Sequence, residues 1–375
     1  MKFLIKKDAL VEVYGDVSKA IASKNTIPAL NTVKMVVSEK EVTLTGSNSD
    51  ISIEATIPTE KDGEEIVSVK KTGSVCVNAK IFGDIIKKLP TDMATITVKD
   101  NFKTTIESNG TRFNLNGLDA DEYPQLPSVN ATDGSVYKIK SKALKTLIKK
   151  SIFAASTSES RPILTGANWN IKEGTLTSSV TDSHRLVKLP VEIGGDAESN
   201  VTIPGSSLKE LEKILLDDES QVKVIITGNQ VLFELDNILF YSRQLEGSFP
   251  DVSRLIPDEH QTQVTIKIKD LKASVDRASV LTRDKTNVVK IESKDGLLVI
   301  SSDNPEIGTI EDEVKCQIEG EELKLSASAK YIMDMLNALD GDDVVINFNG
   351  AMKPFIANEK DNNNIVHLIL PVRTY

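Results

Sequence analysis

The chain of 375 residues is poor in the groups that most often carry chemistry. Its 2 cysteines, Cys76 and Cys316, stand far apart with no Cys-x-x-Cys spacing, so neither a disulfide framework nor a thiolate metal site is expected, and a reducing cytosol fits best. Its 3 histidines, His184, His260 and His367, lack metal-ligand spacing. There is no Gly-rich phosphate loop of the GxxxxGK(S/T) type and no GxSxG elbow. No stretch approaches the ~18 apolar residues that cross a bilayer, and Phe3, Leu4 and Ile5 are too short a run for a signal-peptide core. Thr181-Asp182-Ser183-His184-Arg185 contains the residue types of a hydrolase triad, yet consecutive residues cannot fold into a nucleophile, base and orienter relay, so a turn is expected. The expectation is a cytoplasmic, non-enzymatic chain with no catalytic residues, no metal, no cofactor and no membrane segment.

What is present is an ordinary globular composition, 39% hydrophobic and 27% charged, at a length that suits two to four domains. Lys+Arg 45 against Asp+Glu 55 gives a net charge of −10, which on average argues against a protein that coats phosphates, although charge distribution can reverse this locally.

The chain also repeats itself. Three amphipathic helices, each preceded by a short basic strand, are written by KFLIKKDALVEVYGDVSKAIA (2–22), YKIKSKALKTLIKKSIFAAS (137–156) and VTIKIKDLKASVDRASVLT (264–282). With Asp8, Ser141 and Asp270 taken as N-caps, they recur at steps of about 130 residues. A second helix follows in each copy, at 77–90, 203–215 and 327–339, and each copy ends in an apolar, proline-bearing stretch. Segments of period two lie between the helices, as in VTLTGSNSDISIEATIP (42–58). The reading is an α+β chain of three repeated modules, each with two helices packed on antiparallel sheets, bounded at 1–127, 128–255 and 256–375.

On the helix from Ser141, Leu144, Leu147, Ile148 and Ile152 share one face and Lys142, Lys145 and Lys149 the opposite one. A charged helix face is ordinarily just solvated. Here Lys138, Lys140, Lys142, Lys145, Lys149 and Lys150 follow one another with no acid, inside an acidic protein. A basic surface on an acidic body suits a chain that holds a polyanion on one face only.

The module ends resemble a known family. FNLNGLDADEYPQLP (113–127), ESRPILTGANW (159–169), TDSHRL (181–186), VTIPGSSLKEL (201–211), SFPDVSRLIP (248–257), NPEIG (304–308) and the terminal LILPVRTY (368–375) are similar to stretches of bacterial DNA polymerase III beta subunits, the replicative sliding clamps, and closest to those of low-GC Gram-positive bacteria. The resemblance spans the whole chain. It implies a DNA clamp fold and a head-to-tail homodimer closing into a six-domain ring, with helices inside and sheets outside. Such a ring encircles double-stranded DNA without reading sequence and gives processivity in the cytoplasm, at the nucleoid. It also implies tethering of the replicative DNA polymerase, the clamp loader and repair proteins through short linear motifs. Alternatives are a divergent clamp-like adaptor that binds such motifs without encircling DNA, and an enzyme built on repeated modules, for which the sequence offers no site.

Carried over by position, the resemblance implies DNA contact by Lys24, Lys80, Arg112 and Arg161, to which the helix-face reading adds Lys142, Lys145 and Lys149. In the second module the family's aromatic and basic positions are held by Pro162, Ile163, Gly205, Ser206 and Ser207. A peptide pocket between the second and third modules would comprise Leu164, Thr181, Ser183, His184, Arg185, Leu186, Pro250, Arg254, Leu255, Tyr331, Met352, Pro354, Leu370, Pro371, Val372 and Arg373. Apolar walls with an adaptable methionine and a polar rim suit an extended peptide. The dimer seam would use Ile85, Leu89 and Phe113 at one end of the chain and Val280 and Leu281 at the other.

Overall fold

The computed structural model describes residues 1–375 apart from 23–26, 128, 130, 131, 133, 258, 283–286, 361, 374 and 375 and the side chains of 362 and 363. Six α-helices occur among the described residues: α1 (Lys7–Val17), α2 (Ala79–Lys87), α3 (Ser141–Ser151), α4 (Gly205–Glu212), α5 (Ile268–Ser279) and α6 (Ala329–Ala338). They fall in pairs along the chain, with antiparallel strands between them, which is the repeat the sequence predicts.

The helix starts differ from the expected caps. The caps of α1 and α5 are Lys6 and Lys267, neither making a side-chain capping bond, and Asp8 and Asp270 lie inside the first turn. There a carboxylate faces the positive end of the helix dipole rather than bonding a free amide. Ser141 is the first residue of α3, and its hydroxyl donates to the Leu216 carbonyl at 2.7 Å instead of capping. True side-chain caps stand at the second helices of the outer repeats, where Asn78 and Ser328 accept from the amides of Ile81 and Tyr331.

The contacts divide the chain into two compact units, Met1–Lys142 with Glu210–Gln244, and Ala143–Lys209 with Leu245–Tyr375. In the first, thirteen strands form one sheet. Its continuity depends on Ile238–Arg243, from the second repeat, pairing antiparallel with Ile51–Pro58, from the first. Thr111–Leu118 links two parts of this sheet: residues 111–116 pair with Lys103–Ser108, and only Gly117 and Leu118 pair with Gly73–Asn78. A Cβ at Gly117 would lie 2.5 Å from the Phe102 carbonyl oxygen, so the crossing requires glycine. Helix α1 packs on α2, with Tyr14 over Phe82 in an edge-on contact at 5.6 Å and its hydroxyl donating to the Ala79 carbonyl.

The second unit holds a nine-stranded and a four-stranded sheet. Arg185–Glu192 pairs antiparallel with Asn362–Ile369, again joining strands of two repeats. Period-two burial is plain in Asp343–Phe348, where buried and half-buried residues alternate. Helix α5 packs on α6, and Leu271, Val275, Ala278, Ile332, Met335 and Leu336 join the core beneath them.

Candidate functional site

Helix α3 separates its faces as its spacing predicts. Leu144, Leu147 and Ile148 are buried, as is Ile152 just beyond the helix, while Lys142 and Lys149 are exposed and Lys145 half-buried. Lys150, which the sequence reading counted in the acid-free basic run but not on the outward face, is no part of the exposed basic surface. It is buried, three residues beyond Leu147, with its ammonium 2.7 Å from Asp340 and 3.2 Å from Glu359. Burial alone would lower its pKa, but hydrogen bonds to the two carboxylates outweigh this and hold it above the ordinary lysine value.

Of the other basic residues, Lys80 is exposed in the first turn of α2. Arg112 is exposed opposite Glu107 in the hairpin register, its Nε donating to that carboxylate at 2.6 Å. Arg161 is exposed just before the turn Pro162–Thr165. Lys24 lies outside the described residues. Lys80, Arg112 and Lys142 belong to the first unit and Lys145, Lys149 and Arg161 to the second.

All sixteen residues of the expected peptide pocket fall in the second unit. The 181–185 segment is a turn built on Asp182. Asp182 Oδ1 accepts the amides of His184 and Arg185 at 2.9 and 3.0 Å, and the Thr181 hydroxyl donates to the Arg185 carbonyl at 2.6 Å. Ser183 takes a φ of 76° there, leaving its side chain and that of His184 exposed. The Leu370 amide donates to the His184 carbonyl at 2.9 Å, which brings the C-terminal stretch beside the turn. Pro354 adjoins the same stretch, because the next residue, Phe355, pairs with Ile369.

Arg185 is buried rather than at the rim. Its Nε donates to Asp182 at 3.1 Å, one terminal nitrogen to Asp334 at 2.6 Å, and the other to the Phe153 carbonyl at 2.6 Å. Its guanidinium also lies 4.4 Å from the Tyr331 ring centre and 5.3 Å from that of Phe153. Asp334 and Phe153 were not foreseen as part of the site. Only Asp182, three residues before Arg185, is recognisable as a partner from spacing. His367, stacked on Phe153 at 6.0 Å, is buried with neither ring nitrogen bonded, and burial, with the Lys150 charge adding, pushes its pKa down to about 4.

Leu186 is buried with Val252 and Leu368, covered by Phe249 and Ile256 from the segment that also carries Pro250, Arg254 and Leu255. Leu164 is buried as well. By contrast, Leu255 is 51% and Met352 54% exposed. Large apolar side chains left in water suit a docking surface better than a core. Among the described residues, no three His, Cys, Asp or Glu side chains are grouped to hold a metal ion.

At the expected seam residues, Ile85 and Leu89 are buried in their own unit, Phe113 and Leu281 are half-buried, and Val280 is 76% exposed. The exposed apolar residue of α2 is Ile81, which the sequence reading did not select. Among the strand edges left unpaired in the described residues are residues 111–116, on the side away from Lys103–Ser108, and Gly308–Lys315, an outer strand of the four-stranded sheet.

Sequence models of the DNA polymerase III beta subunit match the chain in succession: the N-terminal domain at residues 1–127, the central domain at 138–251 and the C-terminal domain at 253–373. The Beta sliding clamp of Bacillus subtilis is 47% identical and that of Staphylococcus epidermidis 45%, each with 100% of both chains covered. The crystal structure of the DNA polymerase sliding clamp from Bacillus subtilis superposes with a TM-score of 0.97 at 46% identity, covering 100% of both chains.

Proposed function

The chain belongs to the DNA polymerase III beta subunit family, and on that footing we propose that two copies close head to tail into a ring around duplex DNA, to which the exposed groove tethers replication and repair proteins. It is a sliding clamp of the beta type, a processivity factor. The divergent adaptor finds no support in a match that runs the full length of both chains.

Closure of the ring rests on two of the open strand edges. Strand 111–116 carries Arg112, paired with Glu107, and lies in the unit that holds Lys80 and Lys87 of α2 and Lys88 just after it, whereas Gly308–Lys315 carries Glu311, Asp312 and Glu313 against one Lys315, with Asp312 paired to Arg277. Edges of opposite charge at the two ends of one chain favour a contact between copies that continues the sheet from one to the next. Ile81 and Phe113 on one copy and Val280 and Leu281 on the other supply the apolar part, while Ile85 and Leu89 support the α2 face from beneath. The three domains of each copy are bounded at 1–127, 128–255 and 256–375.

Inside the ring, Lys24, Lys80, Arg112, Lys142, Lys145, Lys149 and Arg161 meet phosphates. These contacts carry no sequence information and cost nothing to shift along the duplex. Retention then comes from linkage rather than affinity, and the chain performs no reaction of its own.

For the groove, we place Leu164, Leu186, Leu255, Met352, Pro354 and Leu370 against apolar anchors of a partner's linear motif, with Thr181, Ser183, His184, Arg254 and Arg373 at the polar rim. Pro250, Tyr331, Pro371 and Val372 complete the walls. Arg185 holds Tyr331 and the turn in place. Two or three anchors at ~1.5 to 3 kcal/mol each, less the cost of ordering the peptide, correspond to binding of about micromolar strength, which lets partners exchange.

The single observation that carries the reading is the full-length family match. The test is retention on nicked circular duplex DNA loaded with a matched clamp loader and ATP. Linearising the circle is expected to release the protein; equal retention on both forms would instead mean ordinary groove binding.

A further inference from the structure

On one face of the nine-stranded sheet, Asn170, Thr177, Ser179, Lys188 and Asn200 line a cleft of about 330 Å³ whose other wall is the segment Phe249–Ser253. The strand registers place these side chains together: Ser179 is opposite Lys188, Asn168 opposite Ser179, and Asn170 opposite both Thr177 and Asn200. Leu186 precedes Lys188 by two residues on the same strand and so faces the same side, one pleat away, at about 6.6 Å. Phe249 and Val252 line the cleft and also cover Leu186, and Pro250 belongs to both the cleft and the groove residues. The cleft is therefore continuous with the apolar groove.

Its chemistry differs from that of the groove. The floor is carboxamide and hydroxyl, groups that both donate and accept and so match the alternating N–H and C=O of an extended backbone. Asn168 is held below it, its amide donating to Asn200 at 2.7 Å and to the Thr202 hydroxyl at 3.2 Å. Of the two charges at the cleft, Asp251 is engaged by its own turn, its Oδ1 accepting the Ser253 amide at 3.0 Å and hydroxyl at 2.5 Å. Those bonds, with Arg254 and Lys188 adding, hold its carboxyl below the ordinary value. Lys188, which also acts on Asp251, is the cationic group at the cleft that an incoming chain meets.

We propose that this cleft is an extension site, in which polar residues flanking a partner's linear motif lie in extended form with a carboxylate opposite Lys188. The inference rests on the docking reading of the groove and adds a second determinant of partner choice. Apolar anchors fix the motif, and the flanking residues then set which motif-bearing partner holds longest.

The test starts from the tightest heptapeptide selected by display against the full-length wild-type protein, re-selected with four randomised residues at either end. Fluorescence anisotropy of the winners is expected to show at least a fivefold gain from one flank, with Asp or Glu enriched in it. The gain should vanish in a Lys188→Glu, Asn170→Leu protein, whose affinity for the unextended heptapeptide stays at the wild-type value. Exchanging the flanking acid for lysine should restore part of the gain with Lys188→Glu alone. Failure to select any heptapeptide overturns the docking reading and the extension with it. A heptapeptide that binds but gains nothing from either flank, or a gain that survives in the double variant, overturns the extension and leaves the groove standing.

Discussion

Arg185 shows how one side chain can order a surface, here the one proposed for docking, without lying on it. All its nitrogens are bonded, and it links the turn at Asp182, helix α6 through Asp334 and the chain at Phe153. Its partners are not equivalent in exposure: the Asp182 side chain is 13% exposed and Asp334 30%, so removing the arginine strands the first far more than the second. Arg185→Ala is expected to destabilise the protein by about 3 kcal/mol, the lower end for a broken buried pair, and to weaken motif-peptide binding at least tenfold. Arg185→Lys should recover little of either, because an ammonium cannot reproduce a planar fork aimed three ways. Urea unfolding and peptide anisotropy on the same samples check both.

Among the elements, α3 best separates what spacing reveals from what it hides. Lys142 and Lys149 project outward, and if they meet phosphates, the double variant Lys142→Gln, Lys149→Gln should lower the slope of log affinity against log salt by about 2 on linear duplex DNA, at every sequence tested. An unchanged slope would remove these two from the DNA surface. The outward face was legible because a period of 3.6 residues assigns it without tertiary information. The same period puts Lys150 beside Leu147, on the buried flank, but its type argued for solvent, and the carboxylates that reconcile the two come from residues 340 and 359. The caps of α1 and α5 were misplaced for a local reason: each helix follows a strand directly, so the last strand residue serves as cap and the acid falls inside the first turn. At the groove, spacing identified the turn and its Asp182 partner, whereas the exposure of Leu255 and Met352 depends on what the rest of the unit covers.

For the whole molecule, the strongest single lever on assembly is Val280. It is 76% exposed in the single chain, so Val280→Asp should leave the unfolding transition of the monomer within about 0.5 kcal/mol of wild type. If the seam forms as proposed, the same change should raise the dimer dissociation constant at least tenfold by sedimentation equilibrium. The repeat was visible in the sequence, but the two strand pairings that join one repeat to the next were not, since each unites segments more than a hundred residues apart whose alternation is satisfied by many neighbours. Those pairings also impose an order of events on the ribosome. Strand Ile51–Pro58 waits for Ile238–Arg243, and Arg185–Glu192 waits for Asn362–Ile369, each made long after its partner. Until then each presents a bare edge, so a nascent chain interrupted before residue 362 carries an unprotected strand that can pair with another stalled copy, an exposure that ends once the later strand is in place.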